Sequence, residues 1–273
     1  MSPDVSVVPD HDQPRLFDDR FFRFACVAEP DELAMAYAIR YQVYCIERGF
    51  LSACDYPDAL ETDEFDARSV QILATHRSGQ PAGTARLVLH SPIGFPAMRH
   101  CRFADGLEHL NDPRHPGLMS FAEISRLAIS KSFRRRPGDT IYGGPPRPDP
   151  DPDIAQAGPG VLSFPTPQQT PEIMIGICRL LYQETKRRGI THWVLAMERS
   201  LYVMLKRLGF IYVPAGPEVD YFGPVRPYVS SIEAFESALH ARAPQTLRNL
   251  AQGLQPELLP HQIAPPSDWC ACA

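Results

Sequence analysis

The densest group of titratable side chains is Glu61-Thr62-Asp63-Glu64-Phe65-Asp66, four acids in six residues, immediately before a β-rich run. Carboxylates that close repel one another unless cations or a bound substrate balance them. Two arginines inside apolar runs are candidates for that balance: Arg86 within residues 83–90, and Arg126 within residues 121–130, with Glu123 three residues before it. A charge in such a run needs a partner, because burying it alone is costly. Arg40 adds a third cation, on a helix face shared with Tyr37, Tyr41 and Tyr44. A solvated acidic loop accounts for the acids taken alone. Three arginines with four or five acids in sheet-adjacent positions point instead to a charged cleft. The histidines, His76 and His90 among them, show no metal-ligand spacing, and Cys270-x-Cys272 has no second ligand pair. No metal is expected.

The elements that must position these groups follow from periodicity and punctuation. Residues 21–27 are aromatic-rich and predict a strand. Pro30, Asp31 and Glu32 open a helix that Gly49 closes. Within it Met35, Ile39, Val43 and Ile46 form one apolar line, and Tyr37, Arg40, Tyr41 and Tyr44 a second. Runs 69–76 and 83–90, joined by Ser78-Gly79-Gln80-Pro81, predict a hairpin. Residues 121–130 predict a long central strand. Thr170 as cap, Pro171 at the first position and Gly189 as stop frame a long helix. Strand 190–197, a short helix capped by Ser200, strands within 210–213 and 219–229, and a helix at 231–240 complete the order. A front half of antiparallel strands followed by a helix and further strands predicts an α/β sandwich around a mixed sheet.

Composition sets the outer limits. The chain has 273 residues, 29 prolines and 17 glycines, where an average sequence of this length holds about 14 and about 19. The excess proline falls in residues 1–20, read as a disordered lead-in, in an insertion at about 137–170, and in a tail at 242–273. The folded domain is therefore expected over 21–241. Net charge is −5, with no basic domain, which excludes nucleic acid as an expected partner. No run of 18 apolar residues and no signal peptide is visible. Seven cysteines at irregular spacings suggest thiols in a reducing, cytoplasmic setting.

The pattern Arg40-Tyr41-x-Val43-Tyr44, then Glu61-x-Asp63-x-Phe65-Asp66, then Arg86, then Glu123-x-Ser125-Arg126 resembles the acyl-homoserine-lactone (autoinducer) synthases. The whole string is more similar still to the N-acyl amino acid synthases and to the acyltransferases associated with PEP-CTERM/exosortase systems. That likeness lies in the Tyr41–Cys45 run, the Ser125–Ser130 strand, the Phe133–Arg136 segment and the long insertion, and it spans roughly residues 30–230. The resemblance implies a GNAT-like fold that moves a long acyl chain from acyl carrier protein to the amino group of an amino acid or similar amine. By the same analogy Glu123 acts through a water as the base that frees the amine lone pair. Glu61 and Asp63 would hold the incoming ammonium. Arg40, Asp66, Arg86, Ser125 and Arg126 would form the surrounding ion network.

The expected donor is acyl carrier protein, or acyl coenzyme A, as substrate, with no tightly bound cofactor. Coenzyme-A-dependent GNAT enzymes grip the pyrophosphate with a glycine-rich loop at a helix start. Here that place holds the proline-rich insertion, and Pro171 and Glu172 are wrong for pyrophosphate. Lys131, Arg134, Arg135 and Arg136 form a basic patch suited to an acidic carrier protein. A lipid product would bring peripheral contact with a membrane. The alternatives are a lactone synthase that uses S-adenosylmethionine, and a non-catalytic module that binds an acyl carrier or lipid.

Overall fold

A computed structural model describes residues 16–104, 106–134 and 169–263. The chain alternates strands and helices around one sheet. Strands β1 (Leu16–Asp18), β2 (Phe22–Val27), β3 (Ser69–His76), β4 (Pro81–Leu89) and β5 (Phe121–Ile129) pair antiparallel in sequence order. After helix α4 (Gln169–Arg187), strand β6 (His192–Glu198) lies parallel to β5, and β9 (Pro224–Ser231) returns antiparallel to β6. Short strands β7 (Val213–Pro214) and β8 (Val219–Asp220) both pair with β9. The expected mixed, largely antiparallel sheet is therefore present among the described residues.

Helix α1 (Pro30–Tyr41) packs on one face, which the loop containing α2 (Pro96–His100) also covers. On the other face α4, α6 (Ile232–Arg242) and α7 (Pro244–Ala251) bury the main core with Phe22, Phe24, Ile72, Leu87, Trp193 and Phe235. The four-residue α3 (Lys131–Arg134) follows β5, and α5 (Arg199–Arg207) follows β6.

The departures from expectation have local causes. Leu16–Asp18 belong to the sheet although they lie in the segment read as a lead-in, because Phe17 stacks on Phe24 at 4.8 Å. The tail read as beginning at 242 instead continues the fold: α7 places Leu247, Leu250 and Ala251 in the core against α4. Helix α4 begins at Gln169, one residue before the expected Thr170 cap. Glu198, not Ser200, precedes α5, and the Ser200 hydroxyl donates back to it. The insertion at 137–168, the first fifteen residues and the last ten, including Cys270 and Cys272, lie outside the described residues.

The helix closed by Gly49 holds a further departure. After Tyr41 the chain widens into a π-helical turn, Gln42–Glu47, with the Arg48 N–H donating to the Val43 carbonyl at 3.0 Å. The wider turn shifts the phase of the apolar line: Ile39 and Val43 are buried, whereas Ile46 is 54% exposed. Such turns concentrate at functional sites, and this one faces the cleft described below.

Candidate active site

Three arginines and three carboxylates close into a ring of alternating charge. Arg40, from α1, donates through Nε to Glu61 Oε2 at 2.5 Å and through Nη1 to Asp66 Oδ1 at 2.6 Å. Arg86, from the middle of β4, donates to Asp66 Oδ1 at 2.7 Å and to both oxygens of Asp63 at 2.6 and 2.7 Å. Arg126, from β5, closes the circuit by donating to Asp63 Oδ2 at 3.2 Å and to Glu61 Oε1 at 3.0 Å. Ser125 accepts from Arg86 Nε at 2.9 Å, and the Gln71 amide donates to Asp66 at 2.8 Å. The ring is neutral, so mutual attraction offsets the loss of water that six buried or half-buried charges suffer. Burial alone would raise Asp66, but its bonds to Arg40 and the Arg40 and Arg86 charges bring it down to about 2. Glu61 and Asp63 are also lowered: the arginines outweigh the burial that opposes them.

Arg126 reaches this ring only because β5 breaks its alternation. Thr84 pairs with Ala128 and Arg86 with Ser125, so two residues of β5 stand opposite Ala85 alone. Arg126 adopts φ +53°, left-handed backbone that a non-glycine residue rarely holds. This bulge lets consecutive residues, Ser125 and Arg126, address the same face. In a regular strand Arg126 would point into the α4 core.

Glu123 lies on the same face as Ser125 and Arg86, beneath the loop that carries α2. Phe95, Ala97, Cys101, Phe103 and Leu118 make that cover dry. Only 1% of Glu123 is exposed, and its Oε2 accepts from the Ala97 N–H at 2.8 Å. Burial pushes its carboxyl up; the Ala97 N–H, Arg86 and Arg126 pull the other way, and the balance stands at about 7. A carboxyl poised there takes up or gives up a proton near neutral pH.

A cavity of about 160 Å³ opens beside Glu123. It exists because β5 and β6 pair only from Phe121–His192 to Ile124–Leu195 and then part. Residues 125–129 and 195–198 become its two walls. Its lining joins the polar Glu123, Ser125, Arg126 and Tyr221 to apolar side chains that include Met174, Leu181, Met204 and Leu205. Cys178 also lines it, and burial pushes that thiol up to about 12. The Arg126 guanidinium lies near Tyr221, whose ring stacks on His100 at 3.8 Å. Tyr44 bonds the Leu127 carbonyl at 3.2 Å and lies under the Arg126 guanidinium.

The structure thus brings together Arg40, Glu61, Asp63, Asp66, Arg86, Ser125 and Arg126, with Glu123 on the same face. Glu61 has no exposed surface and both its oxygens accept from arginines, which makes it a ring member rather than an open receptor for an ammonium. Asp63 keeps 24% of its side chain exposed. Glu64, the fourth acid of the cluster, turns outward to pair with Arg99. Lys131 is exposed at the start of α3, its N–H donating to Glu47. The side chain of Arg134, and Arg135 and Arg136 altogether, lie outside the described residues. Residue-by-residue reading missed Tyr221, Arg48 and Glu198, which all line the cavity. A turn tyrosine and a cation in a last helical turn carry no distinguishing signal.

The acetyltransferase (GNAT) domain family matches residues 39–142, a span that holds the ring and Glu123. Among solved structures, TofI in a ternary complex with an inhibitor and MTA aligns with 87% of this chain and 98% of its own, at 18% identity and TM-score 0.53. The acyl-homoserine-lactone synthase LasI aligns with 81% of this chain and 93% of its own, at 18% identity and TM-score 0.50. FeeM, an N-acyl amino acid synthase from uncultured soil microbes, aligns with 80% of this chain and 94% of its own, at 13% identity and TM-score 0.49. No curated protein matches the chain by sequence. No helix among the described residues is long and apolar enough to cross a membrane. The mixed sheet with its flanking helices is a GNAT-like fold, the fold shared with the acyl-homoserine-lactone synthase structures.

Proposed function

We propose that this chain is an N-acyltransferase that moves a long acyl chain from the thioester of an acyl carrier protein to the amino group of an amino acid. The observation that carries this reading is the junction at Glu123. A carboxyl held at about 7 lines a cavity whose walls are otherwise largely apolar. The apolar lining suits the hydrocarbon chain of the donor. The thioester carbonyl then lies near the point where β5 and β6 part. Backbone N–H groups that lose their partner strand there would receive the developing oxyanion.

In this mechanism Glu123, directly or through a water, removes a proton from the ammonium and frees its lone pair. The amine nitrogen attacks the carbonyl carbon, the tetrahedral adduct collapses, and the C–S bond breaks. The carrier thiol leaves with a proton. The charged ring holds β4, β5 and α1 in register around this point. Lys131 and the arginines after it would dock the acidic carrier. The chain stands within this reading beside the exosortase-associated acyltransferases that it resembles, with a cytoplasmic setting and a product able to enter a membrane.

The test is mass spectrometry on purified protein incubated with a long-chain acyl carrier protein and a pool of amino acids plus S-adenosylmethionine. An N-acyl amino acid formed by the wild type and lost in Glu123→Gln is the expected result. An acyl homoserine lactone with methylthioadenosine would move the assignment to a lactone synthase. Carrier binding without release of carrier thiol would refute the enzymatic reading.

A further inference from the structure

If an amino acid is the acceptor, its carboxylate enters the cleft with its amine and must meet a cation there, because a buried carboxylate without a partner is strongly disfavoured. The ring cannot supply that cation. Arg40 and Arg86 are fully buried and committed to its acids. Arg126 lines the cavity, but its Nε and Nη2 are already held by Glu61 and Asp63, so a carboxylate there would compete with the ring's own acids. Among the described residues one other arginine lines the cavity: Arg48, at the end of the π-helical turn.

Arg48 has the properties of a receptor held in reserve. Its guanidinium lies over the Phe50 ring, 4.2 Å from the centroid, which fixes its plane. Nη2 donates to Glu198 Oε1, and no other side-chain bond of Arg48 is seen among the described residues. The remaining edge of the guanidinium therefore offers the two-pronged donor that a carboxylate accepts best. Glu198 has other support, because it also accepts from Ser200 Oγ and stands at the N-terminus of α5, where negative charge is favoured. It can share or release Arg48 at small cost. The pair is close to the Tyr221 turn: a Cβ at Gly223 would lie 3.5 Å from Phe50 and 4.0 Å from Glu198 Oε1. Two residues earlier Tyr221 lies near both Arg126 and Glu123.

We propose that Arg48 receives the carboxylate of the acceptor, with Glu198 as its resting partner, so that the substrate class is α-amino acids rather than simple amines. This inference rests on the transferase reading above but is separable from it. The experiment compares each amino acid in the pool with its decarboxylated amine, for example phenylalanine with phenethylamine. The readouts are kcat/KM and calorimetric titration of the acyl-free protein. Wild type should favour the amino acid. Arg48→Gln should collapse that preference by about 10- to 100-fold, the range expected for a lost charged hydrogen-bonded pair. Arg48→Lys should recover part of it. Glu198→Gln should raise amino acid affinity, a gain that general damage to the fold does not produce. Equal losses for amino acid and amine in Arg48→Gln would overturn the proposal, as would a loss confined to the KM of the acyl thioester, which would assign Arg48 to the donor's phosphate. If the wild type forms no product with any amine, the transferase reading fails. Calorimetric preference for the amino acid would still support the carboxylate receptor, and its absence would sink it.

Discussion

The state of Glu123 makes a prediction that needs no substrate. Its carboxyl is pushed up from 4.5 to about 7 in the folded chain. In the unfolded chain it ionises near its ordinary value. The stability that a raised carboxyl contributes is complete only below its unfolded value. As pH rises past about 4.5 the unfolded state releases its proton while the folded state retains it, so stability falls until pH passes about 7. At 1.36 kcal/mol per decade the full loss is about 3 kcal/mol. Roughly 2.5 kcal/mol of that falls between pH 5 and pH 8. Glu123→Gln keeps the shape and can still accept from the Ala97 N–H, but it has no proton to lose. The variant should gain on the wild type by about 2.5 kcal/mol across that interval, or about 5–10 °C in Tm for a domain of this size. Urea denaturation of both proteins at pH 5, 6, 7 and 8 gives the difference directly, and charges common to both cancel. A difference that is flat with pH would mean that the carboxyl is ionised throughout. The base assignment would then lose its physical ground.

Three further outcomes follow from the packing. Arg40→Met leaves Glu61 and Asp66 each short of a partner in a buried setting and should cost about 3–5 kcal/mol in denaturant unfolding. Cys178→Phe fills part of the cavity, so kcat/KM for long acyl donors should drop by about 10- to 100-fold while short donors are retained, read from competition between acyl chains. Gly176 lies inside α4, where alanine would ordinarily add up to about 1 kcal/mol. A Cβ there would stand 2.2 Å from the buried Phe24 ring, so Gly176→Ala should instead destabilise by about 1–3 kcal/mol in thermal melts.

Much of the ring was legible because its members break local rules. Arg86 and Arg126 are charges inside apolar strands, and the acids of 61–66 exceed what a loop needs. Each anomaly demands a partner, and the demands match. The strands were legible from alternation, and α1 from its proline start and glycine stop. The bulge at Arg126 was not, since neither a glycine nor a proline marks it and the alternation of Ile124 to Ile129 reads as a regular strand. The cavity was invisible for a different reason. Met174, Cys178, Leu181 and Met204 satisfy the same helical pattern whether they face a core or a void. Helix α7 was hidden by a proline-rich context, although Leu247 and Leu250 carry the spacing of a buried turn.

The ring also constrains how such a sequence can change over generations. Each carboxylate is shared by two guanidiniums and each guanidinium by two carboxylates. Replacing any one strands two neighbours, so effects at the six positions are strongly non-additive. A lineage can leave this arrangement only by exchanging an acid and a base together, or by replacing the whole set with apolar side chains. The apolar residues that line the cavity are under no such bond and can be traded one at a time to suit a different acyl chain. Among descendants of this fold, substrate preference can therefore drift while the six charges stay in place.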